Sequence, residues 1–321
     1  MNTEQVLEQI APKFRGVRAR DFDPRDARII AGEQTLAIRS GRGRSIALAP
    51  EGIESLLVYT GISESLAKNL TPQTFARAAT EVLDHKRQGT LLVKEGQVVE
   101  LTRSQYPAMD PERTLKTIEK RVDGADFHRI LELPKHGIQL ETVGVEERAV
   151  AKGDLVRAGA LVQLSPFGTI QPLVQSYAMR LICTNGATDM EVERRFSYGE
   201  GGEGDDVWQW FRRSISAAYK SIDRVSQRWQ AMRQERIAPS QRASILEALL
   251  RESGLDRQVA VAVRARALEQ PPTNAWEMMN LITWASSHAA DGGQAVYRAQ
   301  LAAGRFAHEE THSQLCPTCR R

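Results

Sequence analysis

Between residues 208 and 232 eight apolar side chains, Trp208, Phe211, Ile215, Ala218, Ile222, Val225, Trp229 and Met232, recur at alternating spacings of three and four. That rhythm keeps them on one face of an α-helix, which neither a strand nor a loop could do. It predicts one long helix from about residue 206 to 237, about 48 Å in length at 1.5 Å per residue, ended by Pro239. A seam with two tryptophans is too apolar to face water, so it marks either core or a coiled-coil contact with another copy of the chain.

Helical periodicity continues after the proline. Shorter helices are expected at 241–252, 256–268, 273–290 and 294–307, separated by Gly254, Pro271-Pro272 and Gly292-Gly293. Upstream of the seam, residues 198–206 hold four glycines and four acids, a composition that fits a loop or domain boundary. The first 198 residues have a different character. Residues 34–39 and 45–48 read as strands around Ser40-Gly41-Arg42-Gly43, and 90–94 with 97–102 read as a hairpin through Glu95-Gly96. Four more strands are expected at 128–133, 138–143, 160–164 and 174–183, with helices at 50–59, 71–85 and 110–121. Strands and helices without a regular βαβ rhythm give an α+β fold: an N-terminal mixed, mainly antiparallel sheet with helices, then a helical C-terminal region with one long helix. The domains read as 1–198, an acidic loop at 199–206, helices over 207–307 and a Cys/His tail at 308–321.

The chain has 321 residues, 41% of them hydrophobic, enough to fill a sizeable core. Its apolar runs fall short of the roughly 18 residues that a membrane span requires, and residues 1–14 are polar rather than signal-like. Three cysteines, an odd number, fit a reducing cytoplasm better than a disulfide framework.

Net charge does not single out a partner, with 43 basic against 40 acidic residues. The type of base is more informative, because only nine are lysine and 34 are arginine, the side chain that grips phosphate bidentately and stacks on bases. A genome that writes arginine for lysine everywhere would give the same count. Position is the second clue: residues 205–268 carry twelve bases against seven acids. Arg212, Arg213, Arg224 and Arg228 fall beside or away from the apolar seam and, with Trp210 and Tyr219, offer the arginine-plus-aromatic mixture on which single strands stack. The alternative is a solvated face with intrahelical pairing such as Lys220 with Asp223. Arg39, Arg42 and Arg44 lie at a glycine-rich hairpin tip, where three guanidinium groups could track phosphates or simply face water.

Residues 60–72, residues 104–110 and the stretch 179–185, with its Arg-x-x-Cys-x-Asn element of Arg180, Cys183 and Asn185, resemble the phage/plasmid-like family catalogued as a domain of unknown function, number nine hundred and thirty-two. Residues 274–280 and 284–288 look like that family's late helix. Where the family has His-Asp-Gly before the arginine element, this chain has residues 165–169, Ser-Pro-Phe-Gly-Thr. The resemblance implies a protein of mobile elements found beside DNA-processing genes, and implies no reaction.

The tail carries His308, His312, Cys316 and Cys319. Its H-E-x-x-H string, with Glu309, could belong to a zinc peptidase, but only nine residues follow His312 and two of them are cysteines. Two imidazoles and two thiolates instead complete a closed tetrahedral set, which would hold one structural zinc ion and leave no site for an activated water. An unmetallated tail is the alternative. No phosphate-binding glycine loop and no nucleophile elbow is present. The expectation is therefore a non-enzymatic, cytoplasmic DNA-binding protein of a phage or plasmid, favouring single strands, that acts in recombination or replication as a homo-oligomer. A protein-interaction module that assembles through its long helix is the second reading.

Overall fold

The computed structural model describes residues 1–32, 35–86, 89–102, 106–181, 185–196, 207–252, 254–290 and 293–307. The glycine-rich loop at 199–206, Cys183 and the tail histidines and cysteines lie outside them. Chain contacts divide the molecule into two compact units. The smaller comprises Glu8–Ala108 with Ser165–Ile170; the larger comprises Met1–Leu7, Met109–Leu164 and the chain from Gln171 onward. The division does not follow the glycine-rich loop, because the last five strands pack with the C-terminal helices.

Helix α1 (Thr3–Phe14) begins in the larger unit and ends in the smaller. In the smaller unit β1 (Val17–Phe22) pairs antiparallel with β5 (Gly89–Lys94), which pairs with β6 (Gln97–Thr102). The β5–β6 turn is formed by Glu95 at φ 52° and Gly96 at φ 79°, the left-handed pair of a two-residue hairpin. A second sheet holds β2 (Ala27–Ala31), β3 (Leu36–Ser40) and β4 (Ile46–Ala47) in that order. The expected hairpins are thus both present, and β1 and β2 are additional to them. Helices α2 (Pro50–Thr60), α3 (Glu64–Lys68) and α4 (Pro72–Leu83) complete the unit. Of these, α2 and α4 start as the sequence predicts, opened by Pro50 and Pro72, and α3 is additional; the Ser63 and Thr71 hydroxyls accept from the amides of Leu66 and Thr74. Phe75, Ala76, Ala79 and Leu83 turn one face of α4 into a core with Ile29, Ile38, Leu56 and Leu91.

The larger unit opens with α5 (Pro111–Glu119), capped by Asp110. Five antiparallel strands follow, β7 (Asp126–Leu133), β8 (Gly137–Ala151), β9 (Asp154–Leu164), β10 (Leu173–Arg180) and β11 (Asn185–Arg195), in the order β11-β10-β9-β8-β7. Gly159 lies opposite Tyr177 on β10, and a Cβ there would meet the Thr142 carbonyl at 2.2 Å and the Tyr177 ring at 2.9 Å. The glycine lets a buried tyrosine lie flat on the sheet.

The seam is divided between α6 (Val207–Lys220) and α7 (Ile222–Gln234). The single long helix read from the sequence is interrupted at Ser221, whose amide bonds the Ala218 carbonyl three residues back and whose hydroxyl reaches the same oxygen at 2.6 Å. A serine that bonds back to its own helix tightens and bends it. The periodicity could not register this, since phase is kept across the break: all eight seam residues are buried. Those on α7 pack in one core with Val156, Ala178 and residues of α8 (Pro239–Glu252), α9 (Arg257–Glu269), α10 (Ala275–His288) and α11 (Gly293–Ala307). Helix α11 is also held to the sheet by polar contacts. Glu141, fully buried on β8, accepts from Gln300 at 2.8 Å and Gln139 at 3.2 Å, with Arg129 3.9 Å away.

Candidate nucleic-acid interface

Helix α5 is amphipathic, with Thr114, Leu115 and Ile118 buried. Its other face therefore presents Arg113, Lys116 and Lys120 at intervals of three and four, one above another along the helix. Arg121 follows, and Arg212 reaches the same place from α6. Together with Asp110, Glu112 and Thr117 these residues line a groove of about 690 Å³. Five bases face two acids there. Asp110 is occupied as the helix cap, accepting from the Arg113 amide at 2.7 Å, and Glu112 pairs with Lys116. That pairing pushes the Lys116 ammonium up and keeps it protonated. The Arg113 guanidinium lies 4.2 Å from the centre of the Trp208 ring, which fixes it without consuming its donors. Among the described residues Arg113, Lys120, Arg121 and Arg212 form no ion pair. The groove can accept an extended polyanion.

The other arginines singled out by sequence divide into two groups. Arg39, Arg42 and Arg44 are exposed at the β3–β4 turn, and none of the three meets a described carboxylate. This tip is a second cationic point, on the smaller unit. On α6 and α7, Arg213 and Arg224 are exposed and Arg228 is half-buried, but none of the three is without a partner. Only Arg212 of that set reaches the groove. The aromatic companions expected to stack on bases are engaged within the fold. Trp210 packs edge-on to Phe196 at 5.5 Å. The Tyr219 hydroxyl bonds Thr142 at 2.9 Å, and burial pushes its pKa far up. Asp223 takes Arg148 of β8 at 2.6 Å rather than Lys220.

Arg180 belongs to neither group. It donates twice to Asp154, at 2.7 and 2.8 Å, and its guanidinium stands 5.6 Å from the Trp276 ring centre. Asp154 is 6% exposed and Arg180 21%, so this is a largely buried wall rather than a free cation. The pair borders a cleft of about 500 Å³ with Arg233, Arg266, Trp276, Glu277, Asn280 and Trp284. Arg180 and residues 276–284, from two of the stretches that carried the family resemblance, meet here.

Lys116, Lys120, Arg113 and Arg121 were not selected from the sequence. Their i, i+3, i+7 spacing on a short amphipathic helix was the available signal, obscured by the acids at 110, 112 and 119. Among the described residues no group of three or more His, Cys, Asp or Glu side chains is placed to hold a metal, and no helix is long and apolar enough to cross a membrane. No family model, curated protein or solved structure matches the chain.

Proposed function

We propose that the chain is a non-enzymatic, cytoplasmic DNA-binding protein that takes single-stranded DNA along the α5–α6 groove of its larger unit; the Arg39–Arg42–Arg44 tip of the smaller unit is a separate phosphate contact. The observation that carries the reading is the groove itself, where Arg113, Lys120, Arg121 and Arg212 converge without acidic partners among the described residues, whereas Arg148, Arg157, Arg180 and Arg264 are each paired. Phosphate contacts supply affinity without sequence choice, as expected of a protein that coats or anneals strands in recombination or replication. A place in a phage or plasmid follows from the family resemblance. The tail set His308, His312, Cys316 and Cys319 has the donor chemistry of a structural zinc site, and elemental analysis of purified protein checks it.

Charge reversal tests the groove. The double variant Lys120→Glu, Arg212→Glu should lose binding of a labelled oligothymidine by more than about tenfold at constant fold, since each reversal removes one attraction and adds one repulsion. Undiminished binding would refute the assignment. Self-assembly through the seam has less support, because all eight seam side chains are buried within the chain's own larger unit. Oligomers, if formed, use another surface.

A further inference from the structure

The cleft at Arg180 is lined by three guanidinium groups and two indoles, one backed by a stacked ring and the other by a tilted one. His288 stacks on Trp284 at 5.0 Å and 13°, and the Arg266 guanidinium lies 5.1 Å from the centre of that indole. Trp229 packs on Trp276 at 4.9 Å, with Arg180 beyond it. Both indoles and both arginines border the same space, and Arg233 joins them. The acids present are already engaged. Both Asp154 oxygens accept from Arg180, so Arg233 stays 3.8 Å from that carboxylate, beyond hydrogen-bond length. Glu277 accepts from the Thr273 amide and hydroxyl at 2.7 and 2.8 Å. Arg266 has one contact to Glu269, a side chain 67% exposed, and such a surface pair is readily exchanged for a better acceptor.

An incoming molecule therefore meets three guanidinium groups against two carboxylates, a margin of one positive charge, beside two indole rings in a volume typical of small-ligand sites. We propose that this cleft binds the terminal phosphate of a nucleotide, with Arg233 and Arg266 donating to the phosphate oxygens and the Trp284 side of the cleft receiving the base. Two guanidinium groups match a dianionic phosphate monoester, which accepts several N–H bonds at once. The Arg180–Asp154 pair is the fixed wall that orients Arg233. The monoester can belong to a free mononucleotide or to the 5′ end of a strand, and the chemistry recognised is the same.

The test is titration of the intact protein with adenosine 5′-monophosphate and with adenosine, followed by calorimetry and tryptophan fluorescence. A parallel arm compares 5′-phosphorylated with 5′-hydroxyl oligothymidine. The monophosphate should bind at least about tenfold more tightly than the nucleoside, and Arg233→Gln, Arg266→Gln should erase that difference. The groove variant Lys120→Glu, Arg212→Glu should leave it intact, so a failure of the cleft and a failure of the groove are told apart. A preference shown only by the phosphorylated strand assigns the cleft to strand ends; one shown equally by the mononucleotide assigns it to free nucleotide. Equal binding of monophosphate and nucleoside, with no preference between the two strands, would overturn the proposal. So would a preference that survives in the double variant.

Discussion

Salt dependence gives the groove a quantitative test. A protein that neutralises Z phosphates releases counterions, and the logarithm of its affinity falls with the logarithm of salt at a slope of about −0.7 Z on single strands and about −0.9 Z on duplex. Lys116 is paired with Glu112, which leaves Arg113, Lys120, Arg121 and Arg212 to meet phosphate. Four contacts give a slope of about −2.8 on a single strand, hence about a 50-fold loss of affinity between 50 and 200 mM salt. On duplex the same four would give about −3.6 and a loss of about 150-fold. Replacing Arg212 with Gln removes one contact, so the single-strand slope should fall to about −2.1 and the loss to about 18-fold. Fluorescence anisotropy of a labelled oligothymidine, alone and annealed to its complement, over a sodium chloride series measures all three. A wild-type slope shallower than about −1 would refute phosphate-led binding in this groove. A slope that Arg212→Gln does not change would move the binding surface elsewhere.

Three further outcomes follow from the larger unit. Asp154→Asn leaves the Arg180 guanidinium facing a neutral amide in a largely buried place, and urea unfolding should show a loss of about 3 kcal/mol; a change under about 0.5 kcal/mol would mean that the pair is solvated. Gly159→Ala drives a methyl group into the Thr142 carbonyl and the Tyr177 ring, at a cost of about 1–3 kcal/mol read from the same transition. Tyr177 and Tyr219 both titrate well above the usual tyrosine range, Tyr177 through burial and then the Glu141 carboxylate, Tyr219 through burial. The unfolded chain releases those protons first, so their contribution is complete below about pH 10 and is lost as the pH rises from there toward the folded values. Denaturation midpoints measured from pH 9 to 11.5 should therefore decline less steeply in Tyr177→Phe and Tyr219→Phe than in wild type.

Helices were legible wherever apolar period and punctuation agreed. The four that follow Pro239 lie within a few residues of the expected spans, with Gly254 and the prolines at 271 and 272 falling between them. Hairpins with a glycine turn were equally legible. The four apolar strands β7 to β10 were legible too, but polar ones were not: β1 is Val-Arg-Ala-Arg-Asp-Phe, with only its two end residues buried, and its pairing with β5 closes over more than sixty residues of intervening chain. β11 reads as Asn-Gly-Ala-Thr-Asp-Met-Glu-Val-Glu-Arg-Arg, a polar run that becomes a strand because β10 offers it an edge. Such strands are decided by pairing partners distant in the sequence, and propensity along the chain does not see them.

The candidate site was legible only as a class of side chain. Arginine content pointed toward phosphate, but an arginine contributes to such a surface only where its neighbours leave it unpaired, and that is a property of three-dimensional position. Arg180 is the clearest case: the family motif singles it out, yet both Asp154 oxygens hold it against Trp276, so it shapes a cleft and does not grip a strand. Arg148, Arg157 and Arg264 are likewise matched with Asp223, Glu147 and Glu247. Twelve bases between residues 205 and 268 therefore overstate the positive face of that region, since Arg264 pairs with Glu247, Arg266 with Glu269, and Arg233 lies near Asp154 of β9. The α5 stripe looked neutral for the converse reason. Its acids at 110 and 112 are consumed by a helix cap and by one lysine, and the remaining charge goes unanswered until Arg212 adds to it. Unmatched charge of this kind is what the proposed surface requires, and among the described residues α5 and α6 carry it in one groove.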